Sequence, residues 1–236
     1  MQIAREQKGL SHELLLPLVE IFETVEGEGT ATGFPTIFIR LFGCPLRCTW
    51  CDTPYSYPPY QAEMALSIAE IVQKVGSFRA KRICLTGGEP LLYTKQVIQL
   101  LKELAHLPQI VDIHIETSGA IDLAPFLYEV SSPKVRYILD YKLNGSGETD
   151  KMYLVNLEKL RACDELKFVI ANRADFEQAC QVLSEVHLRC TPLFSPAFGE
   201  IQPRELAEWI LEGGQAEVKL SLQIHKILWD PNQRGV

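Results

Sequence analysis

Short runs of β-branched residues alternate with amphipathic stretches along most of the chain. The runs predict strands, over residues 36–42, 82–86, 110–116, 135–142, 165–171, 188–194 and 218–224. The amphipathic stretches predict helices, over residues 62–78, 94–107, 152–161, 175–186 and 203–212. This order favours right-handed βαβ units around a parallel sheet. Six or seven units are fewer than the eight of a closed barrel, so the pattern predicts a partial barrel or an open α/β sheet.

The helix predicted over residues 62–78 contains an internal start signal. Ser67 followed by Glu70 matches a capping box, in which the two side chains satisfy free backbone N–H groups of the first helical turn. If that box forms, the helix begins at Ser67.

The composition is that of an ordinary globular protein, because 47% of the 236 residues are hydrophobic and 22% are charged. That length suits one large α/β domain or two small ones, and the hydrophobic content excludes disorder. Lys and Arg number 23 against 30 Asp and Glu, and the net charge of −7 argues against nucleic acid as a partner. No apolar run reaches the ~20 residues of a membrane span, so we expect no membrane partner either.

Seven cysteines, an odd number, argue against an exported disulfide framework and indicate a reducing, cytoplasmic location. Three of them, Cys44, Cys48 and Cys51, lie close together directly after the strand predicted at residues 36–42. This is the carboxyl end of a strand, where α/β folds place their chemistry. We interpret the other four as packing residues, namely Cys84, Cys163, Cys180 and Cys190.

The spacing C-x3-C-x2-C lets three thiolates converge on one centre. A structural zinc site would need a fourth Cys or His at suitable spacing, and none is nearby. A 4Fe-4S cluster held by three cysteines keeps one iron without a protein ligand, and that iron can bind a small molecule. The alternative is three inert thiols in a loop, and the spacing favours the cluster.

This segment resembles the signature of the radical S-adenosylmethionine superfamily. The resemblance implies a partial (β/α)6-type barrel with parallel strands and outer helices. It also implies a 4Fe-4S cluster, S-adenosylmethionine chelated at the open iron, and an external one-electron reductant.

Two later segments resemble cofactor-binding motifs of that superfamily. Gly88 and Glu89, in T-G-G-E-P, match the motif for the methionine amino group. Glycines let the backbone approach a ligand, and a carboxylate can accept from an ammonium. The segment E-T-S-G, which begins at Glu116, resembles a motif that lines the site, and Ser195 is a further candidate for contact with the cofactor.

An acid and an amine end the strand predicted at residues 135–142. Asp140 and Lys142 are two residues apart, so they point to one face of the strand, where they would meet a ribose or a carboxylate. Ser132 and Lys134, in an S-P-K segment, are a competing pair. We favour Asp140 and Lys142 because they precede a glycine-rich turn, as S-P-K does in some members of the superfamily.

The N-terminal segment narrows the resemblance to the 7-carboxy-7-deazaguanine synthase family. The matching blocks are G-E-G at residues 27–29, Arg40 in an apolar strand, C-D-T at residues 51–53 and Q-I-H-K at residues 223–226. The blocks occur in the same order over nearly the whole chain, which we expect to form a single domain, residues 1–236. Residues 1–35 would be an N-terminal extension with a substrate-binding segment, and residues 36–236 the partial barrel.

The resemblance implies a role for each matched residue. Cys44, Cys48 and Cys51 would hold the cluster, and Thr53 would bind a Mg²⁺ ion, which takes few protein oxygens. The substrate would be bound by Glu26, Gly27, Glu28, Arg40, Thr86 and His225. Glu26 departs from the family, which usually has Gln there, and an ionised Glu can only accept hydrogen bonds.

The implied reaction converts 6-carboxy-5,6,7,8-tetrahydropterin to 7-carboxy-7-deazaguanine with loss of ammonia. Members of the family are carbon–nitrogen lyases of 7-deazapurine (queuosine-type) biosynthesis, and the resemblance implies a homodimer. One alternative is another small radical enzyme such as a glycyl-radical activase, which would not need G-E-G, Arg40 or Thr53. The other is a non-catalytic iron–sulfur or zinc module, in which T-G-G-E-P would lack a purpose.

Overall fold

A computed structural model describes residues 15–236, and residues 1–14 of the predicted N-terminal extension lie outside this range. The strands of the described part are β1 (Leu15–Val25), β2 (Pro35–Leu41), β3 (Met64–Ser67), β4 (Arg82–Gly87), β5 (Asp112–Thr117), β6 (Val135–Tyr141), β7 (Glu165–Ile170), β8 (Thr191–Pro196) and β9 (Lys219–Leu220). The helices are α1 (Ile68–Val75), α2 (Thr94–His106), α3 (Ala124–Glu129), α4 (Asn156–Lys159), α5 (Arg173–Glu185), α6 (Pro203–Glu212) and α7 (His225–Leu228).

All of these strands belong to one sheet, in the order β3-β1-β2-β4-β5-β6-β7-β8-β9. Strands β2 and β4 to β9 run parallel, whereas β1 pairs antiparallel with both β2 and β3. The edge strands β3 and β9 do not pair, so the barrel is not closed. Six parallel strands, β2 and β4 to β8, precede the short β9, and the predicted partial (β/α)6-type barrel is confirmed.

Alternate side chains along the parallel strands serve two different purposes. Ile37, Ile39 and Ile113 are fully buried and pack in one apolar cluster with residues of the outer helices. The side chains that alternate with these apolar residues include Arg40 on β2 and His114 on β5. Because successive side chains of a strand point to opposite faces, these two residues lie on the face of the sheet opposite the apolar cluster, which we call the polar face. This polar face contains the candidate site.

Several predicted boundaries change in the structure. The helix predicted over residues 62–78 begins only after Ser67, where the capping box with Glu70 forms. The segment before it is strand β3, because it pairs with β1 at the edge of the sheet. The helix predicted over residues 152–161 is reduced to α4, and the strand over residues 218–224 is reduced to β9. Strand β1 was not predicted, although it extends the sheet beyond β2.

No helix within residues 15–236 is both long enough and apolar enough to cross a membrane.

Candidate active site

The predicted cysteine loop follows β2 and lies directly against the T-G-G-E-P segment that ends β4. The backbone N–H of Glu89 donates to the carbonyl of Gly43 at 2.7 Å. A Cβ atom on Gly88 would lie 2.3 Å from that carbonyl oxygen and 2.8 Å from the Cβ of Cys44. Only glycine allows this close approach, so Gly88 is needed to place the two segments together.

The separation of the cysteine sulfurs fits a cluster larger than a single metal ion. Within the described part of the chain, the sulfurs of Cys44, Cys48 and Cys51 do not all lie within 4.8 Å of one another. Tetrahedral zinc, with Zn–S bonds of about 2.3 Å, would place its sulfurs about 3.8 Å apart. Burial and the neighbouring thiols and Glu89 raise the pKa of Cys44 to about 11, so thiolates there require a strongly cationic partner. A 4Fe-4S cluster meets that requirement.

Glu89 is fully buried and joins the ends of β4 and β5. Its carboxylate accepts hydrogen bonds from the N–H of Leu91 at 2.9 Å, the hydroxyl of Thr117 at 2.9 Å and the N–H of Ser118 at 2.7 Å. Burial raises its pKa despite these bonds. Its contact with the cofactor stays a prediction. Glu89 also connects the E-T-S-G segment to the cysteine loop, because its side chain bonds to the first and its backbone N–H to the second.

Asp140 and Lys142 form the ion pair expected from their spacing, with Oδ2 of Asp140 lying 2.9 Å from Nζ of Lys142. The other oxygen of Asp140, Oδ1, is buried and has no hydrogen-bond partner among the described residues. A buried acceptor without a partner is costly unless a ligand supplies a donor. A ribose hydroxyl is a donor of the right kind, so this pair fits the predicted cofactor contact.

The competing pair, Ser132 and Lys134, precedes β6 and therefore lies at the amino end of the strand. Nζ of Lys134 donates to the carbonyls of Ala105 and Leu107, at the end of α2, at 2.8 and 3.0 Å. These contacts hold it at the edge of the sheet opposite the cysteine loop.

Ser195 is buried at the carboxyl end of β8, and the next residue, Pro196, lines a cavity of about 210 Å³. Phe198, Ile201 and Leu222 line this cavity, together with the stem of Lys226. The size and apolar lining suit a flat ring such as adenine.

Glu28 of the G-E-G turn contacts β7 and the C-terminal segment through its carboxylate. Its carboxylate lies 3.1 Å from Nζ of Lys167 and accepts from the amide of Gln223 at 2.8 Å. Burial alone would raise its pKa, but the charge of Lys167 and the Gln223 bond hold the pKa below its usual value. Glu28 is therefore ionised and ready to accept from a ligand N–H.

The C-terminal Q-I-H-K segment closes over this turn. The ring of His225 packs so closely on Gly27 that a Cβ there would lie 2.2 Å from Nδ1. The N–H of Ile224 donates to the carbonyl of Gly27 at 3.0 Å. Burial lowers the pKa of His225, which keeps its ring neutral near pH 7.

Lys226 of the same segment reaches the cysteine loop, with Nζ lying 3.4 Å from Oδ2 of Asp52. Burial alone would raise the pKa of Asp52, but Lys226, Arg40 and Lys167 lower it. The hydroxyl of the adjacent Thr53 lies 3.8 Å from Sγ of Cys51. The loop and the C-terminal segment are therefore in direct contact.

Arg40, on β2, pairs with a partly buried carboxylate of the neighbouring strand. Its Nε donates to Glu20 of β1 at 2.8 Å, and this is the only hydrogen bond of the guanidinium within residues 15–236. The two terminal nitrogens are free to hold a carboxylate in the bidentate manner. On β4, the hydroxyl of Thr86 donates to Glu116 of β5 at 3.0 Å.

Glu26 does not face the same way as Glu28. Its carboxylate is buried, and Oε2 lies 2.8 Å from Nε2 of His114. Oε1 accepts from the N–H groups of Gly27 and Glu28 at 2.9 and 3.2 Å. The side chain holds the turn from within, so a direct contact with the substrate stays a prediction that these bonds do not support.

The sequence did not point to Lys167, which lies among Glu28, Glu116 and Asp140. A lysine within the otherwise mostly apolar strand ELKFVI was the available signal.

Of the four cysteines interpreted as packing residues, Cys84 and Cys190 are buried and Cys180 is half-buried. The interpretation is wrong for Cys163, which is exposed in the turn before β7.

Comparisons with known proteins agree with this arrangement. Residues 38–138 match the family model of the Radical SAM superfamily. A 7-carboxy-7-deazaguanine synthase from Leptospira interrogans is 37% identical over 92% of this chain and 96% of its own length. One from Clostridium acetobutylicum is 34% identical over 93% of this chain and 98% of its own length. The crystal structure of QueE from Escherichia coli matches with a TM-score of 0.68 and 25% identity, over 89% of this chain and 94% of that chain.

Proposed function

Because the chain belongs to the 7-carboxy-7-deazaguanine synthase family of the radical S-adenosylmethionine superfamily, we propose that it converts 6-carboxy-5,6,7,8-tetrahydropterin to 7-carboxy-7-deazaguanine with release of ammonia. It is a carbon–nitrogen lyase of 7-deazapurine biosynthesis of the queuosine type. One observation carries the proposal. The three-cysteine loop, the Glu28–Lys167 pair and Arg40 lie together near the carboxyl ends of the parallel strands.

Cys44, Cys48 and Cys51 would hold the 4Fe-4S cluster, and its open iron would bind S-adenosylmethionine. When bound, these groups supply the one-electron chemistry that starts the reaction, with electrons from an external reductant. Gly88 and Glu89 would meet the methionine part of the cofactor. Asp140, Lys142 and Ser195 would meet the nucleoside part, which the unpartnered Oδ1 of Asp140 supports.

The substrate residues supply both charge and hydrogen bonds. The free terminal nitrogens of Arg40 would hold the pterin carboxylate, and the ionised Glu28 would accept from ring N–H groups. Thr86 and the neutral ring of His225 would add further contacts, and Gly27 would let the ring of the substrate approach the backbone. These residues position the substrate and exclude water during the reaction.

Thr53 would hold a Mg²⁺ ion through its hydroxyl, and the ion would supply positive charge to the substrate carboxylate. Among the described residues, no group of three His, Cys, Asp or Glu ligands gathers around Thr53. Magnesium keeps several waters and needs few protein oxygens, so one hydroxyl together with the substrate is a sufficient set. The ion would then bind only with substrate.

Further proposals concern the setting of the enzyme. The seven free thiols support a reducing, cytoplasmic location. The acidic net charge supports a small molecule rather than nucleic acid as partner. The pairing of β1 with β2 supports a single domain in which residues 1–35 and 36–236 act together. Relationship to the family supports a homodimer.

The test is product analysis under anaerobic conditions. The reconstituted protein is given S-adenosylmethionine, a reductant and 6-carboxy-5,6,7,8-tetrahydropterin, and the products are separated by mass spectrometry. We expect 7-carboxy-7-deazaguanine. Formation of 5′-deoxyadenosine without any deazapurine would contradict the substrate assignment and favour another radical enzyme. A protein that holds zinc alone after reconstitution would instead favour the non-catalytic module.

A further inference from the structure

A chain of buried charged groups runs beneath the turn at residues 26–30 and is attached to both of its ends. At the first end, Glu26 lies 2.8 Å from Nε2 of His114, and Nδ1 of the same ring lies 2.9 Å from Asp112. Both ring nitrogens therefore face carboxylate oxygens, which can only accept. The ring must carry both protons, and His114 is a cation in a fully buried position.

At the second end, Thr30 is held by Glu165 on β7. Its N–H donates to Oε2 at 3.2 Å and its hydroxyl donates to Oε1 at 2.5 Å. Arg136 on β6 joins the two halves, because its guanidinium bonds to Glu165 and also donates to Asp112 at 2.8 Å. The charged groups thus form a continuous network from Glu26 to Thr30 across strands β5, β6 and β7.

The backbone of Glu26 is held by backbone bonds, since its N–H donates to the carbonyl of Phe34 at 2.9 Å, whereas the N–H groups of the four residues that follow all donate to side chains. Those of Gly27 and Glu28 donate to Glu26, and that of Thr30 donates to Glu165. That of Gly29 donates to the hydroxyl of Ser221 at 2.9 Å. Four consecutive N–H groups are held in this way. A change among the buried charged residues that hold them would therefore move the segment that carries Glu28.

We propose that His114 is a positioning residue for the substrate: through Glu26 it fixes the turn at residues 26–30 and so sets the place of Glu28. This inference rests on the proposed function, because Glu28 is taken to bind the pterin ring. His114 itself touches neither substrate nor cofactor in this assignment, since Glu26 and the turn lie between. The buried thiol of Cys84 also lies within 4.8 Å of Glu26 and His114.

The substitution His114→Gln would leave Glu26 as a buried carboxylate without a cation, which is more costly than losing both charges. We therefore expect His114→Gln to displace the turn, and the double variant Glu26→Gln with His114→Gln to restore it in part through an amide pair. His106→Gln is the matched control, because His106 is exposed at the end of α2.

The experiment measures KM for each substrate and hydrogen exchange of the peptide covering the turn. We expect His114→Gln to raise KM for the carboxytetrahydropterin at least tenfold, to leave KM for S-adenosylmethionine within twofold, and to speed exchange in the turn. The double variant should recover at least half of the lost affinity on a logarithmic scale, and His106→Gln should match wild type. Equal increases in both KM values, or an unchanged turn with normal KM, would overturn the proposal.

The test also gives a result if the proposed function is wrong or if a variant does not fold. If wild-type protein makes no deazapurine, the proposed function fails, whereas hydrogen exchange still reports whether His114 holds the turn. If His114→Gln does not fold, Glu26→Ala removes the same contact from the other side, and the same changes in exchange and KM are expected. Glu26→Ala with normal exchange and normal KM would also overturn the proposal.

Discussion

The ammonium of Lys167 lies 3.1 Å from the carboxylate of Glu28, which links β7 to the G-E-G turn. The same nitrogen lies 3.8 Å from both Glu116 and Asp140. Glu28 belongs to the proposed substrate site and Asp140 to the proposed cofactor site. Lys167 is therefore a shared cation between the two sites. Burial alone would lower its pKa, but the attraction of the three carboxylates holds the pKa well above its usual value, so the ammonium stays charged.

Lys167→Met would leave these acids without their common counter-charge. Removing one partner of a buried ion pair costs about 3–5 kcal/mol, so we expect the free energy of unfolding to fall by that order and substrate affinity to fall with it. Lys102→Met is the control, because the exposed Lys102–Glu129 pair is worth about 1 kcal/mol or less. Denaturant unfolding and substrate titration check both effects, and equal losses in the two variants would contradict the shared role.

Arg40→Ala removes the guanidinium proposed to hold the pterin carboxylate. We expect the affinity for the carboxytetrahydropterin to fall by about 1.5–3 kcal/mol, the range for a charged hydrogen bond, while S-adenosylmethionine binds normally. Calorimetric titration with each ligand makes the comparison, with the exposed Arg173→Ala as the control. If both ligands are weakened to the same extent, Arg40 does not have this role.

Cys48→Ala removes one of the three cluster ligands from a loop that contributes little to the apolar core. The reconstituted variant should hold far less iron than wild type and show no cluster absorbance, while its circular dichroism is unchanged. Cys163→Ala, in which an exposed thiol is lost, should bind iron normally. A full iron content in Cys48→Ala would contradict the assignment of the loop.

Thr53 tests the proposed Mg²⁺ site. Thr53→Ser keeps the hydroxyl and should keep the response to Mg²⁺, whereas Thr53→Ala should lose it. Initial rates measured across a Mg²⁺ titration distinguish the variants. An identical Mg²⁺ response in Thr53→Ala and wild type would exclude this residue as the ligand.

The charge of His114 predicts a pH dependence of stability. Burial alone would lower its pKa, but hydrogen bonds to Asp112 and Glu26 raise the pKa to about 9 from an unfolded value of 6.5. Because His114 binds its proton more tightly in the folded protein, the charged ring stabilises the fold by up to about 3 kcal/mol. This contribution is fully present below pH 6.5 and is lost as the pH rises through 9.

The measurement is the free energy of unfolding of wild type and His114→Gln between pH 6 and pH 9.5. We expect the difference between the two proteins to shrink as the pH rises, because wild type loses the contribution of the charged ring. A difference that stays constant over this range would show that His114 does not bind a proton more tightly in the folded state.

Residues that are close in sequence were the easiest to predict. The cysteine loop, the T-G-G-E-P segment and the Asp140–Lys142 pair each form from a few consecutive residues, and each follows a strand whose pattern is clear. The capping box of Ser67 and Glu70 is local as well, and it forms as expected.

Contacts that depend on strand order could not be read from the chain. Lys167 meets Asp140 because β6 and β7 pair in parallel with these two residues in register. His114 meets Glu26, which is 88 residues away in sequence, only because the turn after β1 folds over the polar face of the sheet. Strand β1 itself contains Pro17 and a bulge near Glu20, which obscure its alternating pattern.

The most direct test of the central claim is a time course of two products in one anaerobic reaction. Wild-type protein with its cluster, S-adenosylmethionine, a reductant and 6-carboxy-5,6,7,8-tetrahydropterin should release ammonia and 7-carboxy-7-deazaguanine in equal amounts. Ammonia without the deazapurine, or turnover of S-adenosylmethionine with neither product, would contradict the ring-contracting function.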